Sequence, residues 1–235
     1  MNVALVLSGG IGTRLTSRVP KQYINVSGKM IIIHCLQKLC RHDGIDAIHV
    51  VAEKHWWEPI LTELPDVSKF KGFSLPGENR QYSILNGLRD ISRYAEKSDT
   101  VFIHDAVRPM VSNKLIDDTL NALVGHDGAV PVIPLKDTVY YSEDGHSLTG
   151  CLERAKILAG QAPEAFHLGK YLEANEALSR DEMLSISGST EPALMAGMDI
   201  VSFPGDEKNF KITTNEDLER FKDILHSNEM FEVEV

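Results

Sequence analysis

Met1–Leu7 reads MNVALVL, and residues 8–15 continue as SGGIGTRL. The first stretch is a short apolar run of the length of a buried strand. The second sets Gly9, Gly10 and Gly12 directly behind it. Glycine reaches positive φ and carries no Cβ, so backbone N–H groups in such a turn can close on an oxyanion. Pro20-Lys21-Gln22-Tyr23 follows, so that Arg14 and Lys21 supply cations. The stretch predicts a strand opening into an anion-binding loop, with a nucleoside triphosphate as the anion.

Two commoner phosphate motifs are excluded. No Lys-Ser/Thr follows the last glycine, so the loop is not a Walker A motif. A dinucleotide fingerprint starting at Gly10-Ile11-Gly12 needs glycine or alanine at position 15, where Leu15 stands. A tight strand-to-helix turn accounts for the glycines alone, but not for Arg14 and Lys21.

Working outward, strand patterns fall at residues 47–52, 70–75, 100–104 and 128–133, and helical periodicity at 30–40, 55–64, 81–94 and 113–124. Strands alternating with helices over short loops predict an α/β fold, with a mainly parallel sheet and helices on both faces. Ligands of such sheets bind beyond the C-terminal ends of the strands. Pro131 within the fourth of these strands predicts an edge position or a bulge. Residues 136–153 break the rhythm. Two short extended runs flank Ser142-Glu143-Asp144-Gly145, a hairpin turn, and predict a β-arm. A lone hairpin needs a surface to pack on. That surface is either the arm's own domain or a second subunit, and a homodimer through the arm is the expectation. Beyond Arg154 come a helix at 168–178, strands at 198–203 and 210–213, and a closing helix at 216–225 capped by Thr213 or Thr214.

The 235 residues suit one α/β domain spanning the chain. A formal charge of −10 argues against general affinity for nucleic acid or an anionic membrane. No apolar run approaches the length of a membrane span. Cys35, Cys40 and Cys151 form no CxxC and cannot all pair, which fits a reducing, cytoplasmic setting. Asp105, at the end of an apolar strand, either caps the next segment or holds a divalent cation, since Mg²⁺ takes one or two carboxylates plus phosphate oxygens. His104 reads as a packed strand-end residue. Arg108 and Arg154 pair with acids or bind anions. Lys211, on a short apolar stretch, needs an anionic partner. Trp56-Trp57 reads as helix packing.

Together these motifs resemble the polyol-phosphate cytidylyltransferases, which include the D-ribitol 5-phosphate and 2-C-methyl-D-erythritol 4-phosphate enzymes. The resemblance rests on Leu-Ser-Gly-Gly-Ile-Gly-Thr-Arg-Leu, Pro-Lys-Gln-Tyr, Gly-Glu-Asn-Arg-(x2)-Ser, His-Asp-Ala-Val-Arg-Pro, Asp-Thr-Val, Arg154 with Gln161-Ala162-Pro163, and Asn209-Phe210-Lys211-Ile212-Thr213, in this order. It implies a Rossmann-like fold of the nucleotide-diphospho-sugar transferase type with a protruding arm. It also implies a homodimer with exchanged arms and Mg²⁺-dependent transfer of CMP from CTP to a polyol phosphate. Carried over by position, Leu7, Ser8, Gly9, Gly10, Gly12 and Thr13 hold the nucleotide. Arg14, Lys21 and Lys211 are catalytic. Gly77, Glu78 and Ser83 read cytosine and its ribose. Asp105 is the metal ligand. Ala106, Arg108 and Arg154 border the acceptor phosphate with Lys211, and Thr138 reaches the partner's acceptor site.

Some positions depart from the family pattern. Ser8 stands where alanine is usual, Glu78 where aspartate is common and Ala162 where threonine is usual. Ser187-Gly188 stands where a Thr-Asp pair is expected. The last two fall on the acceptor side. The run Arg154-Ala155 to Gly160-Gln161 resembles the ribitol-phosphate branch more than the methylerythritol branch. The alternatives are the methylerythritol acceptor, another nucleotidyl transfer, and a binding protein without turnover.

Overall fold

The computed structural model of the chain describes residues 1–10 and 19–232, with side chains as far as residue 227. The opening apolar run forms β1 (Asn2–Leu7). After it come a small ribbon, β2 (Asn25–Val26) with β3 (Lys29–Met30), then α1 (Ile31–Arg41), β4 (Ala47–Val51), α2 (Trp57–Glu63) and β5 (Phe70–Ser74). The chain continues through α3 (Arg80–Ile91), β6 (Thr100–Asp105), α4 (Asn113–Ala122) and β7 (Gly128–Pro134). The arm strands are β8 (Val139–Tyr141) and β9 (Gly150–Leu152). Then come β10 (Leu158–Gly160), β11 (Glu164–His167), α5 (Leu168–Glu176), α6 (Arg180–Ser185), α7 (Glu191–Met195), β12 (Ile200–Pro204) and α8 (Asn215–Glu232).

The main sheet runs β10-β7-β11-β6-β1-β4-β5, with β12 added to β7. β1 pairs in parallel with β4 and β6, β4 with β5, and β7 with β12. Only β10 and β11 run against their neighbours. β1 is apolar from Val3 to Leu7 because both its faces are covered. Ala4 and Val6 pack under α1, α2 and α4, whereas Val3 and Leu5 pack under α3, α5 and α7. All four are fully buried. A buried aliphatic side chain contributes about 1.5–3 kcal/mol, so this strand anchors both layers.

The structure corrects two expectations. β7 is not an edge strand: β12 lies on one side of it, and β10 and β11 on the other. Pro131 is tolerated because it faces the break between β10 and β11, where its carbonyl accepts from Gln161 N at 2.8 Å. Residues 210–213 form no strand. They are tied down singly, with Ile212 N donating to Val107 O at 2.9 Å. The arm does not fold back on its own domain. β8 and β9 pair antiparallel, and Tyr140, Tyr141, Leu148 and Leu152 stand exposed. Thr214 caps α8, accepting from Asp217 N at 3.2 Å. No helix among the described residues is long and apolar enough to cross a membrane.

Candidate functional site

The C-terminal ends of β1 and β6 lie side by side, with Leu7 opposite Asp105. A cleft of about 490 Å³ opens beyond them. Its floor is the loop Ser8-Gly9-Gly10. Its walls are Lys21 and Gln22, the turn Pro76–Ser83, and the pair Asp105 and Lys211.

The loop is shaped by the segment that follows it. Gln22, buried, donates from Nε2 to the carbonyls of Ser8 and Gly10, each at 2.7 Å. This engages the loop's carbonyl oxygens, which would otherwise repel an anion. The Ser8 hydroxyl donates to the Tyr23 hydroxyl, and the Tyr23 hydroxyl donates to Ser8 O, both at 2.9 Å. Tyr23 in turn stacks on Trp56 at 3.9 Å. Gly9 is required by contact, since a Cβ there would lie 2.4 Å from Pro76 Cβ. The loop and the second turn are therefore pressed together.

The second turn is knitted by Asn79 and Ser83. The Asn79 side chain accepts from Tyr82 N at 2.8 Å and caps α3. Ser83 Oγ donates to Asn79 O at 2.8 Å and accepts from Gly77 N at 3.0 Å. At Gly77 a Cβ would lie 2.3 Å from Tyr82 Cβ. Glu78 is bound by Arg180 of α6 at 2.7 Å. The N-terminus of α3 thus faces the cleft, where its dipole favours an anion.

Asp105 is the charged centre. It is 5% exposed. Arg80 reaches its Oδ1 at 3.1 Å, and Arg108 and Lys211 reach Oδ2 at 3.4 and 3.1 Å. Burial pushes this carboxyl up, but Arg80, Lys211 and Arg108 outweigh it and hold Asp105 well below the usual carboxylate range. His104, one residue earlier, is fully buried and donates from Nε2 to Arg108 O at 3.0 Å. Burial lowers it to about 4, so it is a neutral packed residue, as the sequence reading expects.

As a cation site, the cleft offers one buried carboxylate with hard oxygen donors. Among the described residues no group of three or more His, Cys, Asp or Glu converges on a metal position. This donor set fits Mg²⁺ carried in largely by phosphate oxygens, and does not fit a metal caged by protein alone.

Of the residues singled out from sequence, Leu7, Ser8, Gly9, Gly10, Lys21, Gly77, Glu78, Ser83, Asp105 and Lys211 line this one cleft. Gly12, Thr13 and Arg14 lie outside the described residues. Ala106 and Arg108 do not line it. Ala106 is fully buried, its N–H bonded to Leu7 O at 3.0 Å. Arg108 lies behind Asp105 and donates from Nη1 to Asn209 O at 2.8 Å, which anchors the segment carrying Lys211. Thr138 and Arg154 are exposed at the base of the arm, where Arg154 bonds Lys136 O. Sequence reading assigned no role to Gln22 or Arg80, although both stand inside quoted motifs. Arg80 had a usable signal: a cation at the first position of a capped helix is misplaced for the helix dipole and needs an anion. Glu53 and Thr213 also line the cleft and carried no such signal.

A family model described as IspD, 2-C-methyl-D-erythritol 4-phosphate cytidylyltransferase, matches residues 2–227. A ribitol-5-phosphate cytidylyltransferase of Vibrio parahaemolyticus is 32% identical over 237 residues, covering 99% of each chain. A 2-C-methyl-D-erythritol 4-phosphate cytidylyltransferase of Geotalea uraniireducens is 33% identical over 220 residues, covering 92% of each. The crystal structure of the Francisella tularensis 2-C-methyl-D-erythritol 4-phosphate cytidylyltransferase superposes with a TM-score of 0.79 at 26% identity, covering 93% of this chain and 97% of that one.

Proposed function

The chain belongs to the 2-C-methyl-D-erythritol 4-phosphate cytidylyltransferase family, and from that premise we propose that it transfers CMP from CTP to a polyol phosphate, with D-ribitol 5-phosphate as the acceptor. The observation that carries this reading is the convergence of the glycine loop, Lys21, the Gly77–Ser83 turn and the Asp105–Lys211 pair in one cleft.

The chemistry suits such a cleft. The acceptor phosphate is already anionic, so no general base is needed. Its oxygen attacks the α-phosphorus in line, and pyrophosphate leaves. The barrier comes from anion–anion repulsion and from charge growing at phosphorus. Fixed cations and aimed N–H groups lower both terms. The Gly9-Gly10 loop and the α3 N-terminus hold the triphosphate, a task the sequence also assigns to Gly12 and Thr13. Lys21 and Arg14 stabilise the transition state. Gly77, Glu78 and Ser83 read the nucleoside. Lys211 meets the acceptor phosphate, joined by Arg154 and Thr138 of the exchanged arm in a homodimer. Mg²⁺ held at Asp105 would neutralise phosphate charge and polarise the transferred phosphoryl group. We propose a cytoplasmic setting for the reaction, which three free cysteines support.

The preference for ribitol rests on the stretch 154–161 and on relatives such as the Vibrio enzyme, matched over nearly its whole length. The Geotalea relative, at 33% identity, favours methylerythritol phosphate as the second reading. Pyrophosphate release with CTP and each polyol phosphate in turn separates the two. Ribitol 5-phosphate is expected to turn over at least tenfold faster. The reverse order assigns the other acceptor.

A further inference from the structure

Glu164 is a buried acid with no role so far. It sits on β11 opposite Ile103 of β6, and therefore on the sheet face where Asp105 ends that strand. It is 8% exposed, and its Oε2 has no hydrogen-bond partner. Arg80 attracts the carboxylate and Asp105 repels it. Arg80 interacts with both carboxylates. Its Nε and Nη2 are both spent on Asp105 Oδ1, at 3.3 and 3.1 Å. One guanidinium is thus attracted by two buried acids and is hydrogen-bonded to Asp105. A guanidinium has five N–H donors in a fixed fork, enough to serve either acid.

Asp105 is already shared by Arg80, Arg108 and Lys211. A metal ion taken up there must displace at least one of them. Arg108 is 11% exposed and fixed to Asn209 O, so it is the least free to leave. Arg80 is 35% exposed and is attracted by a second buried acid. We propose that Glu164 is a positioning residue: it offers the Arg80 guanidinium a second seat, and so frees Asp105 for the cation that accompanies the triphosphate. The proposal rests on the reading of Asp105 as the cation ligand.

The test is calorimetric titration of CTP into the intact enzyme without acceptor, with and without Mg²⁺. The ratio of the two affinities measures how strongly the metal couples to the nucleotide, with no turnover involved. Thermal midpoints establish that each variant is folded. Glu164→Gln should lower the ratio about tenfold, the scale seen when a group supporting a metal ligand is removed. Arg80→Gln should raise it, because Asp105 loses a competitor. In the Arg80→Gln background Glu164→Gln should change nothing. An unchanged ratio in Glu164→Gln overturns the proposal. So does an equal fall in the Arg80→Gln background, which marks a plain charge effect, or a fall in Arg80→Gln alone. If Asp105→Asn leaves the ratio at the wild-type value, the cation is not held at Asp105, and both readings fail together.

Discussion

Lys21 and Asp105 both line the cleft, and the proposed function gives them different tasks. Lys21 lines the donor side beside the glycine loop. Replacing it by alanine should lower kcat by about 10²–10³-fold, the scale of a lost transition-state donor, with an unchanged thermal midpoint. Steady-state rates near wild type would remove its assigned role. Asp105 and His104 are legible in the sequence as polar residues ending an apolar strand. Their surroundings are not, because Arg80, Arg108 and Lys211 arrive from three separate segments. Burial also sets the acid response of the fold. His49 and His104 are both lowered to about 4, chiefly by burial. The unfolded chain binds these protons near the ordinary histidine value, so stability is full above about pH 6.5 and declines as pH falls toward 4. Asp105, depressed by its cations, loses its contribution only at still lower pH, in the same direction. Urea unfolding at pH 7 and pH 5 should therefore differ by roughly 2 kcal/mol for each histidine. A flat profile would show that neither is held neutral in the fold.

Among the elements, periodicity located β1, β4, β5, β6 and α1 to within a residue or two, because buried strands and amphipathic helices carry strong patterns. β10 and β11 escaped notice. Each has only three or four residues, and Gln161-Ala162-Pro163 separates them with a sequence that reads as a loop. The stretch 210–213 failed in the opposite sense. Its alternation suggests a strand, but Val107 takes one hydrogen bond from it and no ladder forms. The arm was legible from its turn, and Asp144 secures that turn by accepting from His146 N at 2.8 Å. Its exposed Tyr140, Tyr141, Leu148 and Leu152 are a costly surface for an isolated ribbon. With the arm exchanged as proposed, deleting residues 138–148 should leave a monomer in light scattering and should impair catalysis through the loss of Thr138. A dimer that survives the deletion places the contact elsewhere.

At the scale of the whole molecule, the mainly parallel sheet brings the loops after β1, β5 and β6 to one end. Distant motifs meet there without any one of them being diagnostic. An acidic chain of net charge −10 concentrates Lys21, Arg80 and Lys211 in that place, so polyanion binding is local rather than general. The loop and the turn that line the cleft were readable because glycine loops and capped turns carry short-range patterns. The surroundings of Asp105 were not, because Arg80, Arg108 and Lys211 reach it from segments far apart in the chain. The most direct test of the account is pyrophosphate release by the purified protein given CTP, Mg²⁺ and D-ribitol 5-phosphate. The account predicts release dependent on all three, with CDP-ribitol formed in equal amount. Release that ignores the polyol phosphate, or none with either ribitol 5-phosphate or methylerythritol 4-phosphate, would contradict it.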